Sequence, residues 1–283
     1  MSEPTTPTLR QVVAVLDGHY PPGTAQSWDR VGLAAGDLDQ PVRSILLAVD
    51  PTLDVIDEAR ASGADLLVTH HPLLLRGVSS VATTTGKGRA VTALLVHDLA
   101  LYTAHTNADV ATPGVSDALA EAAGLPADAL VPLAEPEGQP LGRVGDLPEP
   151  LTLADFAARL ANRLPAAPVG LRVAGDPDQL VRRVAVAGGA GDDLFEEARA
   201  SGAEVYVTAD LRHHPALEAR EESPMALVDA GHWATEWLWL EAARDRLVDA
   251  LAAEGAQVEA RVSTLPTDPW TFLVPTRTTE EPS

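Results

Sequence analysis

Two related α/β domains built from an internal repeat are what this sequence predicts, on three observations. The heptapeptide EARASGA occurs at residues 58–64 and again at residues 197–203, 139 residues further on. Each copy lies between two strand-like apolar runs: SILLAV and DLLVT around the first, RVAVAG and EVYVT around the second. After each copy a further short apolar run leads to a histidine with a carboxylate four residues on. Strands alternating with helical stretches indicate layered α/β packing, with the halves as pseudo-equivalents.

SILLAV, residues 44–49, reads as the first buried strand, and the EARASGA stretch as the helix that crosses to DLLVT. In LLVTHHPLLL, Pro72 has no N–H for a sheet ladder and restricts the residue before it, so this strand ends at about Thr69. His70 and His71 then emerge at the carboxyl end of a strand, where open α/β sheets bind ligands. Either the pair belongs to a site, or one histidine caps the strand and the other is solvated. LALYTA, residues 99–104, leads into HTNADV, in which His105 and Asp109 have i, i+4 spacing. Asn107 is a good cap or turn former, which leaves helix and loop both open.

Residues 126–150 hold six prolines and no helical period, and are read as the linker between a first half at 1–125 and a second at 151–274. LTLADFAARLANRL, which follows, has the spacing of an amphipathic helix. MALVDA, residues 225–230, is a strand leading to GHWATEWLWL, where His232 and Glu236 share one helix face a turn apart. That spacing allows chelation of one ion, or of two if the carboxylate bridges; the alternative is a helix start with a solvated glutamate. The tail, residues 264–283, is assigned to the first half and expected to be mobile beyond Val274.

Composition narrows the chemistry. No cysteine is present, so disulfides, thiolate catalysis and Cys-type zinc sites are excluded, and any metal must be held by nitrogen and oxygen. The formal net charge of −21 argues against duplex nucleic acid as a partner. No apolar run approaches the ~20 residues of a membrane span and no signal core opens the chain, which makes cytoplasmic the expected location.

Other candidates have plainer readings. His213-His214-Pro215 is displaced from the repeat, in which Ala209 aligns with His70, and is expected to open a helix at the surface. GGAG at residues 188–191 lacks the G-x-G-x-x-G spacing, and with Asp192 and Asp193 beside it is read as a helix start with capping. His19 and His97 are read as structural, and Trp233, Trp237 and Trp239 as packing residues.

SWDRVGL at residues 27–33, THHP at 69–72, HTNAD at 105–109 and GHWATE at 231–236 occur in the order found in a known family. The chain resembles the dinuclear-metal-centre proteins related to NGG-interacting factor, often labelled GTP cyclohydrolase type 2 homologues. The resemblance covers about residues 8–274 and implies a homohexameric ring with a metal site in the cleft between the two domains. It implies two divalent ions per chain (zinc, iron or manganese). His71 and Asp109 would hold one, His70 and His232 the other, and Glu236 would bridge them. His105 matches a histidine beside the centre and is the candidate catalytic proton shuttle. Trp28 and Asp29 match a W-D element, but Arg30 stands where asparagine is common and Ala108 where leucine is common. The implied activity is metal-dependent hydrolysis of the cyclohydrolase type, on a nucleotide or other small molecule, through a metal-bridging hydroxide. A non-catalytic metal chaperone, store or regulator would use the same ligands.

Overall fold

The structure, a computed structural model, describes residues 5–275. The expected mobile tail beyond Val274 lies almost wholly outside them. The first half runs α1 (Leu9–His19), β1 (Gly32–Ala35), β2 (Ser44–Ala48), α2 (Leu53–Ala61), β3 (Leu66–Thr69), α3 (Gly86–Val96), β4 (Ala100–Thr103), α4 (Thr106–Asp109) and α5 (Val115–Ala122). The second runs β5 (Arg143–Thr152), α6 (Leu153–Ala161), β6 (Arg172–Ala174), β7 (Leu180–Ala190), α7 (Phe195–Ala200), β8 (Val205–Ala209), α8 (His213–Glu222) and β9 (Ala226–Asp229). The chain then continues through α9 (His232–Trp237), α10 (Trp239–Ala253) and β10 (Glu259–Val262).

Two five-stranded sheets result, in the orders β1-β4-β3-β2-β10 and β6-β9-β8-β7-β5. In each the three inner strands are parallel, and a short antiparallel strand, β1 or β6, closes one edge. Side chains alternate across the strands and both faces are covered. Ile45, Leu47, Leu66 and Val68 face Leu16 of α1 and Leu247 of α10. Leu46, Leu67 and Leu101 face Ile56 of α2 and Leu94 of α3. In the second sheet Val184, Val186 and Val205 pack on Phe156 and Leu160, while Ala185, Tyr206 and Leu227 pack on Ala198.

The repeat has a structural basis. Gly63 (φ +70°) and Gly202 (φ +75°) follow the ends of α2 and α7 in the left-handed conformation that a helix C-terminus favours. The acidic residue after each heptapeptide ties the next strand to its neighbour. Asp65 accepts from the N–H groups of Arg43 and Ser44 at 2.6 and 3.1 Å, and Glu204 from those of Arg182 and Arg183 at 2.6 and 3.0 Å.

The half boundaries differ from those expected. β5 begins inside the proposed 126–150 linker; it is an edge strand with an irregular register between Asp146 and Leu151, which is where Pro148 and Pro150 are tolerated. α10 and β10 return to the first half, β10 pairing in parallel with β2. The second half is therefore not the whole of 151–274, because the apolar faces of α10 and β10 complete the first core. Among the described residues no helix is long and apolar enough to cross a membrane.

Candidate metal centre

The carboxyl edges of the two sheets converge on one cluster. β2 ends before Asp50, β3 before His70 and His71, β4 before His105, β8 before Asp210, and β9 before His232. Pro72 stops β3, as expected, and α4 is a four-residue helix that carries Asp109 back toward the cluster. Asn107 settles that turn by accepting from the His105 N–H at 2.9 Å and donating to the Tyr20 carbonyl at 2.7 Å. α9 keeps His232 and Glu236 on one face, with Nε2 3.0 Å from Oε1.

Glu236 lies at the centre. Its carboxylate is 3.4 Å from His70 Nε2, 3.1 Å from His71 Nε2 and 3.0 Å from His232 Nε2. His71 and His232 approach each other to 3.3 Å through Nε2, and Asp109 lies 3.6 Å from His70 Nε2. His71, His232 and Glu236 form one group able to hold a metal ion, and His70, His71 and His105 form another. The resemblance pairs His71 with Asp109 and His70 with His232; the short separations here run between His71 and His232 and between His70 and Asp109. Adjacent residues leaving a strand diverge, which sends His71 toward the second half and leaves His70 beneath, fully buried.

Each imidazole is held from behind. His71 Nδ1 lies 2.8 Å from Asp50, His232 Nδ1 2.8 Å from Asp210, His105 Nδ1 2.8 Å from Asp29, and His70 Nδ1 2.9 Å from the Ala104 carbonyl. An acceptor on Nδ1 fixes the proton there and points Nε2 inward, which is how outer partners orient metal-binding histidines. Asp29 is fixed in turn by the N–H and hydroxyl of Thr106. The residues fit a cation: His70 Nε2 is buried with no hydrogen-bond partner among the described residues, a costly state that an ion relieves.

The electrostatics agree. Burial opposes charge on His71, but Glu236 and Asp50 outweigh it and push the pKa up to about 11. His232 is desolvated too, and Glu236 with Asp210 lifts it to about 10. Burial alone would raise Glu236, yet the three imidazoles hold it well below the usual carboxylate range. Burial raises Asp109 against the pull of His70 and His105. A cluster that gathers protons this strongly is one in which cations and protons compete.

All six residues singled out from the sequence, His70, His71, His105, Asp109, His232 and Glu236, come together here. His213 and His214 are exposed at the start of α8. The reading of GGAG as a helix cap is corrected, because Gly188 and Gly189 end β7 and α7 starts only at Phe195. A Cβ on Gly189 would stand 2.5 Å from Glu236 Oε1, so this glycine is what lets the strand approach the carboxylate. Asp50 and Asp210 were not singled out. The repeat gives only their register, Asp50 aligning with Gly189 and His71 with Asp210, 139 residues apart in each case.

A cleft of about 420 Å³ opens on the His71 and His232 side, lined also by Asp50, Asp210, Arg172 and Trp270. On the opposite side Trp28, half exposed, meets the His105 ring edge-on at 5.8 Å.

Comparison with known proteins identifies relatives of this chain. The family model described as Duf34/NIF3 (NGG1p interacting factor 3) matches residues 7–269. A Streptomyces coelicolor protein named GTP cyclohydrolase 1 type 2 homolog is 52% identical over 95% of both chains. A Mycobacterium tuberculosis protein of the same name is 37% identical over 93% of this chain and 96% of its own. The crystal structure of a Bacillus cereus protein related to NIF3 superposes with a TM-score of 0.88 at 27% identity, covering 95% of this chain and all (100%) of that one.

Proposed function

Because the chain belongs to the Duf34/NIF3 family, we propose that it is a dinuclear metal-binding protein and a metal-dependent hydrolase of the class its relatives' names suggest. The observation that carries this reading is the inward set of Nε2 atoms around Glu236, each with its Nδ1 already taken by a fixed acceptor. His71, His232 and Glu236 would hold one ion and His70, Asp109 and Glu236 the other. Metal bound there would supply Lewis-acid polarisation of the bond to be cleaved and a water of lowered pKa.

The chain's own groups do the rest. Asp50 and Asp210 keep His71 and His232 turned into the cluster. His105 gives Nδ1 to Asp29, which leaves Nε2 free to take a proton and return it to a leaving group. Imidazole and carboxylate ligands suit zinc, iron or manganese. We also propose a homohexamer, supported by the family resemblance and by Phe272, Leu273 and Val274, which lie 75%, 62% and 71% exposed in one run. Native mass spectrometry should then find six chains, and a monomer at micromolar concentration would overturn it.

Elemental mass spectrometry on untagged protein tests the centre. About two ions per chain are expected, falling well below one in Glu236→Gln, because a neutral amide bridges cations poorly. No ion above background after dialysis against zinc, iron(II) and manganese would overturn the reading. With metal bound, hydrolysis of nucleotides and cyclic amides separates an enzyme from a metal chaperone or store.

A further inference from the structure

One wall of the cleft belongs to neither sheet. After β10 the chain runs back past the cluster, and Thr267, Asp268 and Trp270 line the cleft together with Val169 and Arg172. Thr267 anchors this strap: its hydroxyl donates to one oxygen of Asp50, whose other oxygen holds His71 Nδ1. The strap is therefore tied to the same carboxylate that orients the metal-facing imidazole.

The charges on this wall are unequal. The Arg172 guanidinium is taken by Asp229, which also accepts the Leu211 N–H at 3.1 Å. Asp268 accepts only the Trp270 N–H, at 2.8 Å through Oδ1, and no cation pairs with it among the described residues. The uncompensated group on the wall is thus a carboxylate, and two residues along the chain Trp270 is 65% exposed. An open indole face stacks on flat rings of any sequence of atoms, and a carboxylate with a free oxygen accepts paired N–H donors. Asp50, Asp210 and Asp229 on the remaining walls disfavour a negatively charged ring.

We propose that the strap is a recognition wall for a flat nitrogen heterocycle with adjacent N–H donors, its ring on Trp270 and its donor edge on Asp268. The far end of such a molecule would reach His71 and His232. A cleft of about 420 Å³ has room for a ligand of that kind. The assignment deepens the proposed hydrolase reading by naming its substrate class, but neither Asp268 nor Trp270 is a metal ligand in it.

Two probes of one shape test it: 2-aminobenzimidazole, which offers the paired donors, and 2-methylbenzimidazole, which lacks the exocyclic ones. Calorimetry on the full chain should show the amino compound binding about tenfold more tightly. Asp268→Asn should abolish that preference, and Trp270→Ala should weaken both probes alike by about tenfold. Metal content of both variants should equal that of the parent. The preference is expected in metal-loaded and in chelated protein, so a chain that bound no metal would still test the strap. Equal binding of the two probes, or a preference that survives Asp268→Asn, would overturn the assignment whatever the metal content.

Discussion

A methyl group on Gly189 would stand 2.5 Å from Glu236 Oε1 and 3.3 Å from His232 Nε2, and the residue also has φ +68°. Gly189→Ala therefore carries two penalties: left-handed strain of about 1–2 kcal/mol, and a collision with the central carboxylate. Gly63→Ala separates them, since Gly63 has φ +70° with nothing within 4 Å of its ideal Cβ. In thermal melts Gly63→Ala should lose the strain alone and Gly189→Ala more than that, and only Gly189→Ala should lose bound metal. Equal metal content in the two would mean that β7 can retreat from Glu236 and that the close approach is incidental. The same scale explains why the ligand residues were legible and their supports were not. His70-His71-Pro72 breaks an apolar run, and His232 with Glu236 has helical spacing, so each announces itself within a few residues. Asp50 and Asp210 are single acids after strands, and only the fold brings them to His71 and His232.

The repeat reaches further at the level of elements than EARASGA. GDLDQPVRS at residues 36–44 and GDPDQLVRR at 175–183 stand 139 residues apart, and they build the same turn. Asp37 and Asp176 each accept an N–H two residues on, at 3.0 Å, and Gln40 and Gln179 each reach the carbonyl of the acid after the heptapeptide, at 3.3 and 3.4 Å. Asp65 and Glu204 then each accept two N–H groups from the strand that follows. Asp65→Ala and Glu204→Ala should each cost about 1.5 kcal/mol, the low end for bonds to charged groups, because Glu204 is exposed and Asp65 only half-buried. Chemical denaturation of the two variants checks this; a cost in one half only would show that the repeat is not energetically equivalent. Period and turn residues made these units readable. What local pattern could not reveal was β5, whose prolines mimic a linker, and the return of α10 and β10 to the first sheet, which depends on which core is left open.

Across the whole molecule, two sheets meeting at their carboxyl edges concentrate acids and imidazoles at a single point, and in the absence of metal only protons can balance them. His71 and His232 are held up to about 11 and about 10, above the ordinary 6.5. A raised pKa contributes stability that is complete below about pH 6.5 and is lost as the pH rises through the folded values. Glu236 is depressed well below 4.5, so its contribution is present above that pH and lost on acidification. Chelated protein should therefore melt highest between about pH 4.5 and 6.5 and progressively lower toward pH 10 and 11. Metal ions require the same nitrogens deprotonated, so the rise in Tm on adding zinc or manganese should be small near pH 6 and grow toward pH 9. Thermal melts over that range, with and without metal, decide the matter. An increment independent of pH would mean that the ions do not displace these protons, and that the cluster around Glu236 is a buried hydrogen-bond network and not a metal centre.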